Sequence, residues 1–121
     1  MEYGPDAHIV KQNHKFGLLS YSGAPIIPCK YDTLEYISDA AIIISINNKY
    51  GIIDIHNKIK VPLEYDYLMI EPNYYINQLK DLQFYKQKAN HYSVIDVNDK
   101  DIPSDLTEQE IKKQMQLYKS L

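Results

Sequence analysis

Apolar positions in this chain come in short runs of strand length, punctuated by small polar pairs. His8–Lys11, Ala41–Ile46 and Gln83–Lys88 each read as a strand. They meet the pairs Asn13-His14, Asn47-Asn48 and Ala89-Asn90. Asparagine tolerates left-handed backbone angles, so Asn47-Asn48 predicts a two-residue hairpin turn. A second strand follows each pair, over Lys15–Tyr21, Lys49–Ile55 and His91–Val97, where β-branched residues suit a half-buried pleated surface. Another turn comes next, at Ser22-Gly23, His56-Asn57-Lys58 and Asn98-Asp99-Lys100. A third short strand then ends near proline, at Pro28, Pro62 and Pro103. Proline cannot donate to a ladder, which places these segments at an edge or a strand end.

The runs are copies of one another. Lys15-Phe16-Gly17-Leu18-Leu19 returns as Lys49-Tyr50-Gly51-Ile52-Ile53, and at the same offset Pro28-x-x-Tyr31-Asp32-x-Leu34 returns as Pro62-x-x-Tyr65-Asp66-x-Leu68. A worn third copy begins at His91-Tyr92-Ser93-Val94-Ile95, after a longer interval than the first. A fixed period of this size marks an array of one supersecondary unit. The repeats span about 7–36, 40–70 and 83–103, with a loop insertion over 70–82 accounting for the longer second interval. The Tyr-Asp segments lead from one copy to the next.

The tail changes period. Thr107-Glu108-Gln109-Glu110 has the form of a capping box, and Ile111, Met115 and Tyr118 recur at helical spacing, with Leu117 and Leu121 widening the stripe. This predicts one amphipathic helix over 107–120 that covers the open end of the last repeat. The fold class is therefore all-β: a meander of three hairpin-based repeats in a twisted or curved partial array, closed by a C-terminal helix.

Lys-aromatic-Gly-aliphatic-aliphatic-Asp, a turn with Gly or Asn, and then Pro-x-x-Tyr-Asp together resemble the WG repeat family. Tyr50, Gly51, Asp54, Asn57, Pro62, Tyr65 and Asp66 carry the resemblance best. Phe16, Gly17, Gly23, Pro28, Tyr31 and Asp32 carry it in the first copy; Tyr92, Ile95, Asp96 and Pro103 remain in the third. The naming tryptophan is Phe16 or Tyr50 here, and the glycine is Ser93 in the last copy. The resemblance implies short β-repeats of bacterial proteins, with no shared catalytic residue, cofactor or substrate.

Composition narrows the function classes. The 121 residues fit a single domain. A net charge of −3 and basic residues that are all lysine argue against nucleic acid, where arginine supplies bidentate contacts. One cysteine, Cys29, permits no internal disulfide and suits a reducing compartment. Neither a signal peptide nor a membrane-spanning stretch is legible, so a cytoplasmic location is expected.

Residue types that could carry chemistry fall on repeated positions. Tyr31-Asp32 and Tyr65-Asp66 offer a phenol beside a carboxylate. A catalytic site needs one convergent constellation, whereas these pairs recur, and closing turns through backbone N–H groups is the simpler role. Asp96-x-Asn98-Asp99-x-Asp101 has oxygen ligands but lacks the glycine and distant glutamate of a calcium loop. His8, His14, His56 and His91 have no ligand spacing, and Cys29 has no histidine near it in sequence. The expectation is no enzyme, no cofactor and no metal. What remains is surface: among 12 tyrosines, Tyr67, Tyr74, Tyr75 and Tyr85 gather with Glu71 around the insertion. Tyrosine is enriched at interface hot spots, so residues 64–85 are the expected protein-binding face, with packing inside the array as the rival role for the rings. The expected function is a protein-binding module, in its concrete form an immunity-type protein that binds and inhibits a toxin. It would act as monomer or homodimer, away from nucleic acid and membrane. The alternative is a carbohydrate or small-molecule binding domain that uses surface tyrosines.

Overall fold

The computed structural model describes residues 7–72 and 81–120. Within them, ten strands and one helix follow in order: β1 (Ala7–Gln12), β2 (Lys15–Ser20), β3 (Pro25–Tyr31), β4 (Thr33–Ser38), β5 (Ala41–Ile46), β6 (Lys49–Ile53), β7 (Ile59–Tyr65), β8 (Tyr67–Ile70), β9 (Gln83–Lys88), β10 (His91–Asp96) and α1 (Glu108–Lys119). The strands form three antiparallel sheets, ordered β1-β2-β3, β4-β5-β6-β7 and β8-β9-β10. We call them the first, middle and last sheets.

Sheets and sequence copies are out of phase by one strand. The segment after Tyr31-Asp32 is itself the opening strand of the middle sheet, β4, and the segment after Tyr65-Asp66 opens the last sheet as β8. Each Tyr-Asp dipeptide is thus a crossing between layers. Both hairpin turns with asparagine have the left-handed backbone they require: Asn13 and Asn47 at φ 53°, His14 and Asn48 at φ 66°. Ala89 takes φ 54° at the third. Pro28 and Pro62 lie in β3 and β7, both edge strands, as the missing N–H demands. In the third copy the segment after the turn makes only the Ile95↔Asp101 bridge and a bond from Ile102 N–H to the Val94 carbonyl, and forms no full strand.

The sheets stack face to face. Leu18, Ile27 and Tyr31 meet Ile42, Ile44 and Ile53 between the first and middle sheets. Ala41, Ile43, Ile52, Val61 and Tyr65 meet Leu68, Ile70, Phe84 and Ile95 between the middle and last sheets. Because both its faces are covered, β5 is buried over Ala41–Ser45 and reads as a continuous apolar run rather than an alternation.

Helix α1 seals the far side of the last sheet, with Ile111 and Met115 packed on Met69, Tyr85 and Val94. Its capping box forms as predicted: Thr107 Oγ1 accepts from Glu110 N–H, and the Glu110 carboxylate accepts from Thr107 N–H at 2.8 Å. The buried stripe is narrower than the sequence suggests, since Leu117 is exposed; Leu121 lies outside the described residues.

Candidate functional site

Each Tyr-Asp crossing is a polar staple between successive sheets. Asp66 N–H donates to the Gln87 carbonyl, and its Oδ2 accepts the Ala89 N–H of the β9–β10 turn at 2.7 Å. Its Oδ1 accepts from Lys49 Nζ, at the start of β6, at 2.6 Å. Asp32 repeats this one layer earlier: its N–H donates to the Ser45 carbonyl, Oδ2 accepts Asn47 N–H at 2.8 Å, and Oδ1 accepts from Lys15 Nζ. The tyrosines reach forward. Tyr31 Oη donates to Asn57 Oδ1 at 3.0 Å and Tyr65 Oη to Asp99 Oδ1 at 2.6 Å, each acceptor lying in the second turn of the next sheet. The second turns are closed by Asp54 and Asp96, each accepting two backbone N–H groups, and by Ser20 Oγ, which accepts one. The oxygen-rich segment at 96–101 is therefore a hairpin turn whose first carboxylate is spent on its own backbone. Among the described residues, no three His, Cys, Asp or Glu side chains gather as a metal site.

The lysine of each Lys-aromatic-Gly motif is a partner that motif reading missed. The signal was a constant separation in sequence, the same from Lys15 to Asp32 as from Lys49 to Asp66. The third copy keeps that spacing with other residues, His91 Nδ1 lying 3.8 Å from Glu108 Oε1. Glu108 also accepts the Tyr92 N–H at 2.8 Å. Helix α1 therefore begins where a third crossing would stand.

These contacts set the titration behaviour. The hydrogen bond from Lys49 and then the Ala89 N–H hold the Asp66 carboxyl below its usual 3.8; Lys15 and then the Asn47 N–H do the same for Asp32. The Lys58 N–H lowers Asp54 likewise. Burial raises the phenols of Tyr31 and Tyr85 above 10, raises Tyr65 further with help from Asp99, and pushes Tyr67 up to about 12. The depressed carboxyls contribute stability that is present above their unfolded values and lost as pH falls below about 4. The raised phenols contribute stability that is present below about pH 10 and lost as pH rises beyond it. Urea midpoints should thus hold level through neutrality and fall on both sides. A midpoint unchanged between about pH 9 and pH 11 would contradict the tyrosine assignment.

Among the described residues, those expected to form a binding face do not make one tyrosine patch. Tyr85 is 4% exposed, because β9 turns it under α1, and a partner would not touch its ring. Glu71 is 8% exposed, just past the end of β8. Tyr67 is half-buried, edge-on to Tyr50 with ring centroids 5.1 Å apart, and Lys119 Nζ lies 4.3 Å above its ring. Tyr74 and Tyr75 lie outside the described residues. The described surface of that region is instead ionic. Glu64 and Asp66 are joined by Asp101, whose carboxylate sits 3.2 Å from Lys86 Nζ, while Lys88 Nζ lies 3.7 Å from Glu64.

At the opposite end, no described residue covers the outer face of the first sheet. A shallow concavity of ≈ 510 Å³ there is lined by Val10, Leu19, Pro25, Pro28 and the half-buried Cys29, with no tyrosine in its wall. Tyr21 is 68% exposed and stacked on His8. The pair of aromatics flanking a polar cleft that a sugar site would need is not formed there.

The model of the WG containing repeat matches residues 16–50 and 50–79. The chain belongs to the WG repeat family. The matched stretch covers the Tyr31-Asp32 and Tyr65-Asp66 crossings and Lys49, with Lys15 one residue before its start, so the WG signature here largely coincides with the groups that fasten one sheet to the next. No curated protein and no solved structure matches the chain. Among the described residues no helix is long and apolar enough to cross a membrane, which says nothing of β-barrels.

Proposed function

We propose that this WG repeat protein is a non-enzymatic protein-binding module, in its concrete form an immunity-type inhibitor that binds and blocks a toxin. The observation that carries the non-enzymatic reading is where the reactive groups are spent. Tyr31, Tyr65, Asp32, Asp54, Asp66 and Asp96 all bond backbone, turn or lysine partners that hold sheets together. None of these six lines the concavity on the first sheet or the hollows beside α1, where a substrate would have room to meet an acid or a base. The contact face is the ionic surface of Glu64, Asp66 and Asp101, which overlaps the region expected from the sequence. Each carboxylate there stands beside a lysine, Lys88, Lys49 or Lys86, and such a pattern of alternating charge fixes the orientation of a partner with the complementary pattern.

The test is co-expression with the product of the adjacent reading frame. Growth should be rescued by the chain, and a stable complex should be recovered by size-exclusion chromatography. Glu64→Lys should weaken that complex about tenfold or more while leaving the urea midpoint nearly unchanged, because its pair with Lys88 is exposed on both sides and contributes little to stability. A neighbour whose toxicity is unaffected, or substrate turnover by the purified chain, would refute the proposal.

A further inference from the structure

The first sheet lacks what the other two have. In the middle sheet, β4 lies along β5 with Thr33 opposite Ser45, and in the last sheet β8 lies along β9 with Tyr67 opposite Gln87. The incoming aspartate locks both pairs by two bonds: its N–H donates to a strand carbonyl, Ser45 or Gln87, and its carboxylate accepts the first N–H of the hairpin turn, Asn47 or Ala89. The repeat offset maps these groups onto the Lys11 carbonyl and the Asn13 N–H, on a turn with the same φ values of 53° and 66°. Among the described residues no strand lies along that edge of β1, and no carboxylate reaches the Asn13 N–H.

We propose that the β1 edge with its Asn13-His14 turn is a strand-acceptor site for an extended partner segment of the form Asp-x-aliphatic. Three observations select that occupant. The same two backbone groups, in the same register, already hold an aspartate twice within this chain. Residues 7–16 carry Lys11, His8 and His14 and no carboxylate, with Lys15 already bonded to Asp32, in a chain of net charge −3, so the site is complementary to an acidic strand. Ile9, on this edge strand, is 45% exposed, whereas its counterparts Ile43 and Tyr85 are buried beside β4 and β8. A strand added here places its aspartate on Asn13, its third following residue opposite Ile9, and the aliphatic residue at the second position opposite Val10, beside the concavity of the outer face. This surface is distinct from the Glu64–Asp101 face, and it stands or falls without reference to a toxin.

The test uses the full chain, labelled with ¹⁵N, and the capped peptide Tyr-Asp-Thr-Leu-Glu-Tyr-Ile-Ser, which copies residues 31–38. Amide shifts should move for Ile9, Lys11 and Asn13 and saturate near or below about 1 mM peptide, the range of a short added strand. The same peptide with asparagine for aspartate should bind about tenfold more weakly, since the charge-assisted bond is lost. Lys11→Glu, at an exposed position, should weaken binding of the parent peptide without changing the spectrum elsewhere. No saturable shifts, equal binding of the asparagine peptide, or shifts centred on β4 and β5 through exchange of the chain's own strand would overturn the proposal. So would concentration-dependent dimerisation through β1 that the peptide does not compete away, because the edge would then belong to a second copy.

Discussion

Gly51→Ala should lower stability by about 3 kcal/mol or more, a large loss for a change of one carbon. The reason is a backbone approach, and no turn is involved. A Cβ at position 51 would stand 2.5 Å from the Val61 carbonyl oxygen and 3.0 Å from both the Pro62 carbonyl carbon and the Leu63 nitrogen. All three are main-chain atoms of β7, so relief requires the strand to move. β7 cannot move far, because Val61 and Tyr65 on it are buried against the last sheet. The β6–β7 register shifts between Tyr50 and Ile52, and the glycine sits at that irregularity. Gly17 stands in the same trap, 2.5 Å from the Ile27 carbonyl oxygen. Ser93 is the internal control. It occupies the equivalent site in β10, where the segment alongside makes only the bridge at Asp101 and the bond from Ile102. Ser93→Ala should therefore change stability by no more than about 0.5 kcal/mol. Urea unfolding of both variants measures the contrast. A Gly51→Ala protein as stable as the parent would show that the β6–β7 contact is not tight.

Ile111→Asp should cost about 3–5 kcal/mol, and unevenly across the molecule. Ile111 is buried in an apolar cluster with Met69, Tyr85 and Val94, where a carboxylate would lose its water. Polar contacts at the two ends of the helix, from Glu108 to the Tyr92 N–H and from Lys119 to the Tyr67 ring, cannot replace that apolar anchor. Met115 is its other buried anchor, and Tyr118 Oη reaches Glu35 at 3.2 Å. In a stack where each layer packs mainly on its neighbours, loss of the terminal layer exposes the next one first. Hydrogen exchange in the variant should speed up in β8, β9 and β10 while β2, β5 and β6 keep their protection. A penalty under about 1 kcal/mol would end the argument that α1 is a seal. Uniform loss of protection would show that the sheets open as one unit.

Much of this architecture was legible in the order of residues. The Asn13-His14 and Asn47-Asn48 turns, the edge placement of Pro28 and Pro62 and the capping box at Thr107 follow from local stereochemistry, which neighbours in sequence largely decide. The periodicity gave the number of layers. The expected face at 64–85 fared differently. Tyr85 has the residue type of a contact, yet strand alternation turns it beneath α1, a helix from much further along the chain. Tyr67 is half-covered by Tyr50 and Lys119, again from distant segments. Exposure of a tyrosine depends on what packs above it, and no local pattern records that.

Backbone preferences acting within a few residues were enough to specify the repeating unit, its turns, its edge strands and its terminal helix. They could not specify that the Tyr-Asp dipeptides are crossings between stacked sheets rather than turn closures within one. The partners of those dipeptides, Asn47, Asn57, Ala89 and Asp99, lie 15 to 34 residues onward, and only stacking brings their turns within hydrogen-bond reach.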